Sequence, residues 1–485
     1  MRTTIAVFNK KNKSALPFVI DALKSNRYDK SLNFTVASSK FFSHKSPDVL
    51  SKQGIDASSV FGCSFTKEAK KAYNFSQLEN ATFVFEGAIY TPINDNTDSL
   101  QKAADNLIHS ESQLKNYVEK IKDGDYYFFI LKEKELAIAR DPIGVYPLYF
   151  GENKEIIAFA SNRKTLWQLD IADVAIQSFP PGNLCLINRE GFHFKPIEFF
   201  TYPQEATKQV LLDKAAVEVQ TLLEQAVRAR VADLKEVAVA FSGGIDSSLI
   251  AHLASKCGVK VNLIHVSLEN EIETETAFEA SEKLNLPMQV HLFKESDVAN
   301  TLPHVIALIE EPDPVKAAIG VPIYWTAQKT LELGCNVLLA GQGADELFGG
   351  YQRYVNEYCQ EGEEKVCQTM FNDITQIHKN NLERDKKICT NVDVDLRLPF
   401  CSFNLVKYAL SLPVELKFER KPETLRKLVL RRVALNLGLP PSIANKPKKA
   451  VQYSTGINNA VKRVAQKNNQ TVNEYIGKLF ERTQY

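Results

Sequence analysis

The chain has 485 residues, which is enough for two or three domains with sizeable cores. Its 59 Lys and Arg residues nearly balance its 58 Asp and Glu residues, and the net charge of +1 argues against a nucleic-acid partner or a membrane surface. No apolar run approaches the ~18 residues of a membrane span, and the first residues lack a signal-peptide pattern, so we expect a cytoplasmic protein. The eight cysteines lack CxxC spacing, which argues against a zinc site and a disulfide framework.

The N-terminal part of the chain is dominated by short apolar or alternating stretches with turns between them. Four such stretches are Ala81 to Phe85, Tyr126 to Leu131, Leu136 to Ala139 and Leu184 to Ile187. This pattern predicts a β-rich domain with few helices. A polar stretch from Thr201 to Thr207 interrupts the pattern, and a long amphipathic helix is expected to begin near Asp213. We therefore predict two domains, residues 1–205 and 206–485.

The C-terminal domain is predicted to alternate strands with helices. Strand-length apolar stretches are found at Glu236 to Phe241, Val259 to Val266, Met288 to Phe293 and Asn336 to Ala340. Segments with helical spacing of apolar residues separate them. Such alternation is typical of a parallel α/β sheet.

The first of these strands ends in a glycine-rich turn that opens a helix, with the sequence SGGIDSS over residues 242–248. Gly243 and Gly244 let the backbone approach a phosphate, and the N–H groups of the helix start favour negative charge. Three hydroxyls add donors: Ser242, Ser247 and Ser248. Asp246 would repel a bare phosphate, but it is expected if it holds a Mg²⁺ that bridges to the phosphate oxygens. The loop therefore predicts a site for a metal–nucleotide complex, although a simple turn is the alternative interpretation.

A second strand runs into a similar turn, with the sequence GQGADE over residues 341–346. The first three residues are expected to contact the nucleotide: Gly341, Gln342 and Gly343. Asp345 and Glu346 suit Mg²⁺ or a ribose hydroxyl, because hard cations take oxygen ligands from loops at sheet ends. The alternative is an ordinary helix start, where the helix dipole favours acidic residues.

Together the two loops resemble motifs of the asparagine synthetase family. SGGxDSS is the loop of ATP pyrophosphatases, which split ATP between the α and β phosphates to adenylate a substrate. The following SGxGxDExxGGY motif is matched by Ala340 to Tyr351, with alanine in place of the first serine, and the likeness covers residues 210–460. Later segments, ERD at 383–385 and VDLRLPF at 394–400, resemble two further motifs of the family. The resemblance implies a Rossmann-like ATP-pyrophosphatase domain, ATP and Mg²⁺ as cofactors, aspartate and ammonia as substrates, and possible homodimers.

The resemblance also implies catalytic roles for three further side chains. Glu310, at an apolar helix end, is either a surface acid or the carboxylate that takes a proton from the attacking nitrogen, and the family favours the second role. Lys448 or Lys449, in a basic cluster that could also be plain surface, would stabilise charge on the adenylated intermediate.

Arg397 is flanked by leucines, and it is expected to form a buried ion pair with Asp395 or Asp385.

Three N-terminal segments resemble class II glutamine amidotransferase domains: DGDY at 123–126, ARDPIGVYPLY at 139–149 and PPG at 180–182. The resemblance implies an Ntn-hydrolase-like αββα sandwich, a fold that hydrolyses glutamine with a cysteine at residue 2 and its own α-amine as base. Here residue 2 is Arg2, and the first cysteine is Cys63. Glu86 replaces the amide that donates to the oxyanion, and a carboxylate there would repel it. We therefore expect that glutaminase activity is lost and that ammonia comes free or from a separate glutaminase.

Two alternatives to asparagine formation stay open. A β-lactam synthetase-like enzyme would join an amine within the substrate to the adenylated carboxylate. Those enzymes use a tyrosine paired with an acid as the proton acceptor, whereas this chain has Glu310 at the position that resembles the synthetase glutamate. A non-catalytic regulatory homologue would have no chemical need for Asp246, Asp345 and Glu346 together.

Overall fold

The computed structural model describes residues 2–25, 32–51, 56–67, 70, 72–78, 80–90, 121–197, 200–202, 210–269, 271–422, 424–447 and 455–483. The chain divides into two compact units, Met1–Phe199 and Phe200–Tyr485. The domain boundary predicted at 205/206 lies outside the described residues. No described helix is both long enough and apolar enough to cross a membrane.

The N-terminal unit is built mainly of strands. In chain order it contains β1 (Thr3–Asn9), α1 (Leu16–Ser25), β2 (Asn33–Ala37), β3 (Phe42–Ser43), α2 (Pro47–Leu50), β4 (Ser59–Phe65), β5 (Tyr73–Gln77), β6 (Ala81–Ile89), β7 (Gly124–Lys132), β8 (Leu136–Arg140), β9 (Tyr149–Glu152), β10 (Ile156–Ala160), α3 (Arg163–Trp167), β11 (Gln177–Ser178), β12 (Asn183–Asn188) and β13 (Gly191–Pro196). All four strands predicted for this domain are confirmed.

These strands form two antiparallel sheets, with the orders β11-β9-β10-β1-β4-β2-β3 and β13-β12-β8-β7-β6-β5. Strand β7 shows why they stack, because alternate side chains of a strand point to opposite faces. Tyr127 and Phe129 pack between the sheets, where the Phe129 ring lies 5.3 Å from that of Phe61 in β4. Tyr126 and Phe128 are buried on the other face of their sheet. The result is the expected Ntn-hydrolase-like sandwich, with α1 packed on the outer face of the first sheet.

The C-terminal unit alternates helices and strands. In chain order it contains α4 (Leu212–Val231), β14 (Glu236–Ala240), α5 (Ile245–Lys256), β15 (Lys260–Leu268), α6 (Glu273–Leu284), β16 (Met288–Phe293), α7 (Glu295–Ile309), α8 (Pro314–Glu332), β17 (Val337–Leu339), α9 (Ala344–Phe348), α10 (Gln352–Glu361), α11 (Glu363–Thr375), α12 (Glu383–Asn391), β18 (Asp395–Arg397), α13 (Phe403–Ser411), α14 (Leu428–Asn436), α15 (Pro441–Ala444), α16 (Ile457–Lys467) and α17 (Val472–Glu481).

Its five strands form one sheet in the order β16-β15-β14-β17-β18, and every neighbouring pair is parallel. The predicted Rossmann-like parallel sheet is therefore present. The chain proceeds outward from β14 through β15 to β16, and then returns to place β17 on the other side of β14. Ligands of open α/β sheets bind where the strand order reverses in this way, at the carboxyl ends of the strands. Both predicted glycine-rich loops leave the sheet at this point.

Candidate active site

A cavity of about 270 Å³ lies at the carboxyl ends of β14 and β17. One wall is apolar and is formed by Ile319, Pro322 and Ile323 of α8. Most of the residues predicted from the two loops line the cavity: Ser242, Asp246, Ser247, Gly341, Gln342, Gly343, Asp345 and Glu346. Gly243, Gly244 and Ser248 belong to the first loop but do not line the cavity. The sequence-predicted loop residues thus meet around one space.

The backbone of the first loop lies very close to the backbone of α6. Gly243 has a φ of +65°, and a Cβ at this position would lie 2.8 Å from the Cα of Ala277 in α6, so only glycine fits. The turn is closed by short polar contacts, in which Ser247 Oγ donates to Gly244 O over 3.2 Å and Ser242 N donates to Ser247 Oγ over 3.3 Å. The helix α5 begins at the next residue, Ile245, so its first N–H groups adjoin the cavity.

A lysine that the sequence interpretation missed connects the two loops. Lys427 Nζ lies 2.6 Å from Asp246 Oδ2 and 2.6 Å from Asp345 Oδ1. The lysine is 1% exposed and has a left-handed backbone with a φ of +62°. Because Lys427 follows no recognisable motif and is remote from both acids in the chain, no sequence pattern predicted this contact. Its single positive charge lies between two carboxylates and reduces their mutual repulsion.

The carboxylates also fit a divalent cation. Asp246 Oδ1 is buried and has no hydrogen-bond partner among the residues that the structure describes, which leaves an acceptor that a metal could use. No set of three or more His, Cys, Asp or Glu side chains in the described part of the chain could hold a metal ion by itself. Mg²⁺ commonly takes one or two carboxylates together with substrate phosphates and waters. Asp246 and Asp345 therefore fit a Mg²⁺ that a nucleotide brings with it.

Glu346 has different partners from the other two acids. Its Oε1 accepts hydrogen bonds from Tyr351 OH at 2.7 Å and from Asn381 Nδ2 at 2.8 Å. Burial, followed by the charge of Asp345, raises the pKa of the Glu346 carboxyl. Asn381 lies in a π-helical turn, His378–Leu382, and such turns are frequent at functional sites. The metal role predicted for Glu346 stays a prediction.

The π-helical turn leads into α12, which supplies an ion pair beside the cavity. Arg384 Nε lies 2.6 Å from Asp385 Oδ1, and Gln342 Nε2 donates to Asp385 Oδ2 over 2.9 Å. Asp385 thus fixes both a guanidinium and an amide that line the cavity. Arg397 pairs with Asp395 at 2.9 Å, one of its two expected partners, and additionally with Asp233 at 2.6 Å, which was not predicted.

His265 lines the cavity at the end of β15. Its Nδ1 lies 2.9 Å from Phe241 O, and because a carbonyl only accepts, Nδ1 carries the proton. Nε2 then accepts from Thr274 Oγ1 at 3.2 Å. Burial lowers the pKa of His265, so the ring is neutral at neutral pH.

Of the three predicted catalytic side chains, the structure describes only Glu310. Glu310 ends α7 with a φ of +60° and is 3% exposed, and its Oε2 lies 3.2 Å from Lys387 Nζ. It does not line the cavity. Lys448 and Lys449 lie outside the described residues. The residues on either side of them are near the cavity, because Lys446 Nζ lies 3.6 Å from the lining residue Glu273 and Thr455 is itself a lining residue.

In the N-terminal unit, Glu86 lies in a buried polar cluster. Its Oε2 accepts hydrogen bonds from Thr4 Oγ1 at 2.7 Å and from Tyr127 OH. Burial and the nearby Glu86 charge raise the pKa of Tyr73 and of Tyr127. The Glu86 side chain is 3% exposed, and the same oxygen, Oε2, accepts both hydrogen bonds.

An open parallel sheet with a glycine-rich loop at its switch point is typical of nucleotide-binding enzymes. The sequence model of the asparagine synthase family matches residues 218–480, and that of a glutamine amidotransferase domain matches residues 71–168. A provisionally named asparagine synthetase (glutamine-hydrolyzing) 1 of Methanocaldococcus jannaschii is 33% identical over 403 residues, which cover 74% of each chain. The protein therefore belongs to the asparagine synthase family.

Plant relatives are more distant and longer. The asparagine synthetase (glutamine-hydrolyzing) of Brassica oleracea is 27% identical over 340 residues, covering 66% of this chain and 56% of the relative. The asparagine synthetase (glutamine-hydrolyzing) 1 of Arabidopsis thaliana is 27% identical over 325 residues, covering 64% of this chain and 54% of the relative. The chain thus spans little more than half the length of these two proteins. A glutamine phosphoribosylpyrophosphate amidotransferase from B. subtilis, complexed with ADP and GMP, aligns with 14% identity and a TM-score of 0.32, covering 59% of this chain and 65% of that chain.

Proposed function

We propose that the protein is an ATP-dependent carbon–nitrogen ligase that adenylates the β-carboxylate of aspartate and joins ammonia to it. The products would be asparagine, AMP and pyrophosphate. Family membership supports the reaction class. The observation that carries the proposal is the meeting of the SGGIDSS and GQGADE loops around one cavity at the switch point of the sheet.

The first loop is proposed to hold the pyrophosphate part of ATP. The backbone N–H groups of residues 243–248 lie at the start of α5, where negative charge is favoured, and Ser242, Ser247 and Ser248 supply hydroxyls. Asp246 and Asp345 would hold Mg²⁺, which when bound neutralises charge on the leaving pyrophosphate. The loop residues fix the leaving group in line with the attacking carboxylate, so positioning supplies much of the rate.

Lys448 or Lys449 is proposed to stabilise the negative charge that develops at the acyl carbon. The positions of Lys446 and Thr455 support this assignment, because Thr455 lines the cavity and Lys446 Nζ lies 3.6 Å from Glu273, which also lines it. Replacement of each lysine in turn by Met should identify the catalytic one. Loss of asparagine formation in only one variant, with ATP affinity kept, is the expected outcome.

Glu310 is proposed to accept the proton that the attacking nitrogen releases. Its ion pair with Lys387 and its position outside the cavity make a purely structural role the competing interpretation. Glu310→Gln separates the two roles. A proton acceptor predicts that the variant still releases pyrophosphate and forms little asparagine, whereas equal loss of both products would show a structural role.

The N-terminal unit is proposed to lack glutaminase activity, so that ammonia comes from solution or from a separate glutaminase. The hydrogen bonds of Glu86 support this proposal, because its Oε2 accepts from Thr4 and Tyr127, whereas the amide that it replaces would donate a hydrogen bond to the oxyanion. Incubation with glutamine alone should release no ammonia.

The decisive experiment supplies ATP, Mg²⁺ and aspartate with either ammonium or glutamine, and follows pyrophosphate and asparagine together. Asparagine from ammonium and none from glutamine is the expected result. Asp246→Asn, which keeps the size of the side chain, should abolish pyrophosphate release while the protein still unfolds cooperatively. The absence of aspartate-dependent pyrophosphate would overturn the choice of aspartate. Cyclisation of an amine-bearing substrate would favour the β-lactam synthetase-like reaction, and ATP binding without any pyrophosphate release would favour a regulatory role.

A further inference from the structure

Arg384 is a buried cation at the cavity that the proposed chemistry does not yet use. It lies in the first turn of α12, is 5% exposed, and lines the cavity. Its Nε is bound to Asp385, and its Nη1 makes only a long contact of 3.5 Å to Asn380 O. Nη2 has no hydrogen-bond partner in the described part of the chain. A guanidinium with an open donor is suited to receive an anionic oxygen.

The charges around the cavity make Arg384 the natural partner for such an oxygen. Acidic residues of the lining are Asp246, Glu273, Asp345 and Glu346, whereas Arg384 is the sole Lys or Arg among the described lining residues. Lys427 offsets part of the charge of Asp246 and Asp345 but does not line the cavity, so among the described lining residues only Arg384 presents a cationic group to a carboxylate that enters this space. Its binding energy therefore depends on Arg384 more than on any other described lining side chain.

The guanidinium is also held in a fixed orientation. Asp385 is fully buried, and it binds Arg384 through Oδ1 and Gln342 through Oδ2. The same group of side chains includes Asn381, which lies three residues before Arg384 and donates to Glu346. None of these hydrogen bonds involves the SGGIDSS loop, so Arg384 belongs to the part of the cavity formed by the second loop and α12. A guanidinium that is already held in one orientation loses little conformational entropy when a ligand binds.

We propose that Arg384 binds a second carboxylate of the acyl substrate, the one that is not activated. The inference rests on the proposed function, since it assumes that this cavity activates a carboxylate. It defines the substrate class as dicarboxylic, which includes aspartate and excludes β-alanine, a compound with the same amine and activated carboxylate but no second carboxylate.

The test compares Arg384→Gln and Arg384→Lys with the unaltered protein in steady-state pyrophosphate release, using L-aspartate and β-alanine in turn. We expect Arg384→Gln to raise KM for aspartate about 100-fold, as loss of a bidentate charged contact does, and to leave KM for ATP unchanged. Arg384→Lys should restore part of the affinity. Activity with β-alanine should be equally low in all three proteins. Asp385→Asn, which keeps the arginine, is the matched control for disruption of the ion pair and should raise KM for aspartate far less.

Four outcomes would decide between the possibilities. A KM for aspartate within twofold of the unaltered protein in Arg384→Gln would overturn the inference, and so would a rise confined to the KM for ATP. If the unaltered protein ignores aspartate but activates another dicarboxylic acid in an Arg384-dependent manner, the choice of aspartate fails and the inference stands. If it activates only monocarboxylic acids, the inference fails and carboxylate activation stands. Should Arg384→Gln not fold, Arg384→Lys carries the test: a KM for aspartate that is higher than in Asp385→Asn supports the inference, and a KM within twofold of the unaltered protein overturns it.

Discussion

Lys427 Nζ lies 2.6 Å from Asp345 Oδ1, and Gly350 makes this contact possible. A Cβ at residue 350 would overlap the Asp345 carboxylate and would lie 2.5 Å from Lys427 Cε. The second glycine of the GGY sequence is therefore a packing requirement of the charged cluster. The glycine motif and the remote lysine belong to one arrangement of side chains.

Gly350→Ala should consequently displace Asp345 or Lys427. We expect a loss of about 1–3 kcal/mol in the free energy of unfolding, as overpacked sites show, and at least a tenfold loss of pyrophosphate release. Gly477→Ala is the matched control, because nothing lies within 4 Å of a Cβ there and the residue is inside α17. The control should gain about 0.5–1 kcal/mol in urea unfolding. Equal behaviour of the two variants would contradict the packing argument.

Lys427→Met should destabilise the protein in the absence of a divalent cation. Removal of the ammonium leaves two carboxylates without their counter-charge, which costs about 3 kcal/mol at buried sites. Added Mg²⁺ should recover part of this loss, measured by urea unfolding with and without the cation. The exposed pair Lys421–Glu419, with side chains 73% and 54% exposed, provides the control, and Lys421→Met should change stability by less than about 0.5 kcal/mol. An unaltered stability of Lys427→Met would show that the acids need no counter-charge.

The buried Lys417 is expected to make the free energy of unfolding depend on pH in the alkaline range. Burial lowers the pKa of Lys417 from 10.5 to about 8. Between these two values the unfolded chain binds more protons than the folded protein, so stability rises as the pH increases from about 8 towards 10.5. Below pH 8 both states are protonated and the full cost of the buried charge is present.

Lys417→Met should therefore stabilise the protein at pH 7 by about 1–3 kcal/mol and flatten the rise at alkaline pH. Urea unfolding at a series of pH values measures both effects. Lys407→Met, at an exposed position of α13, should leave the pH profile unchanged. A steep alkaline rise that persists in Lys417→Met would assign it to another group.

Glu86→Leu should destabilise the N-terminal unit by about 1–3 kcal/mol, because the hydroxyls of Thr4 and Tyr127 would lose their buried acceptor. Glu86→Gln keeps an acceptor oxygen and should cost less. Thermal unfolding followed by far-UV circular dichroism measures the difference in stability between the two variants. Both variants should keep ammonium-dependent asparagine formation, and its loss would indicate that Glu86 matters for the synthetase reaction.

The strands and both glycine loops could be predicted because the residues that specify each of them are close together in the sequence. The apolar stretches of β7 and β14 each specify a strand within a few residues, and the turn residues mark where each strand ends. The structure extends β15 to Leu268 and β7 to Lys132, beyond the predicted limits, because pairing with neighbouring strands continues past the apolar stretches.

The charged contacts of the site could not be predicted in the same way. Lys427 comes from a segment without a motif, and its partners are separated from it by much of the unit. Arg397 was expected to be buried and paired, which the structure confirms, but Asp233 as a partner depends on how α4 packs against β18. Position in three dimensions, rather than spacing in the sequence, determines these pairs.

The order of the site residues along the chain also has a consequence for synthesis. Asp246 and Asp345 leave the ribosome well before Lys427, so the emerging chain carries two acids whose counter-charge has not yet been made. The loops can therefore take their final charge-balanced arrangement only after Lys427 has been translated.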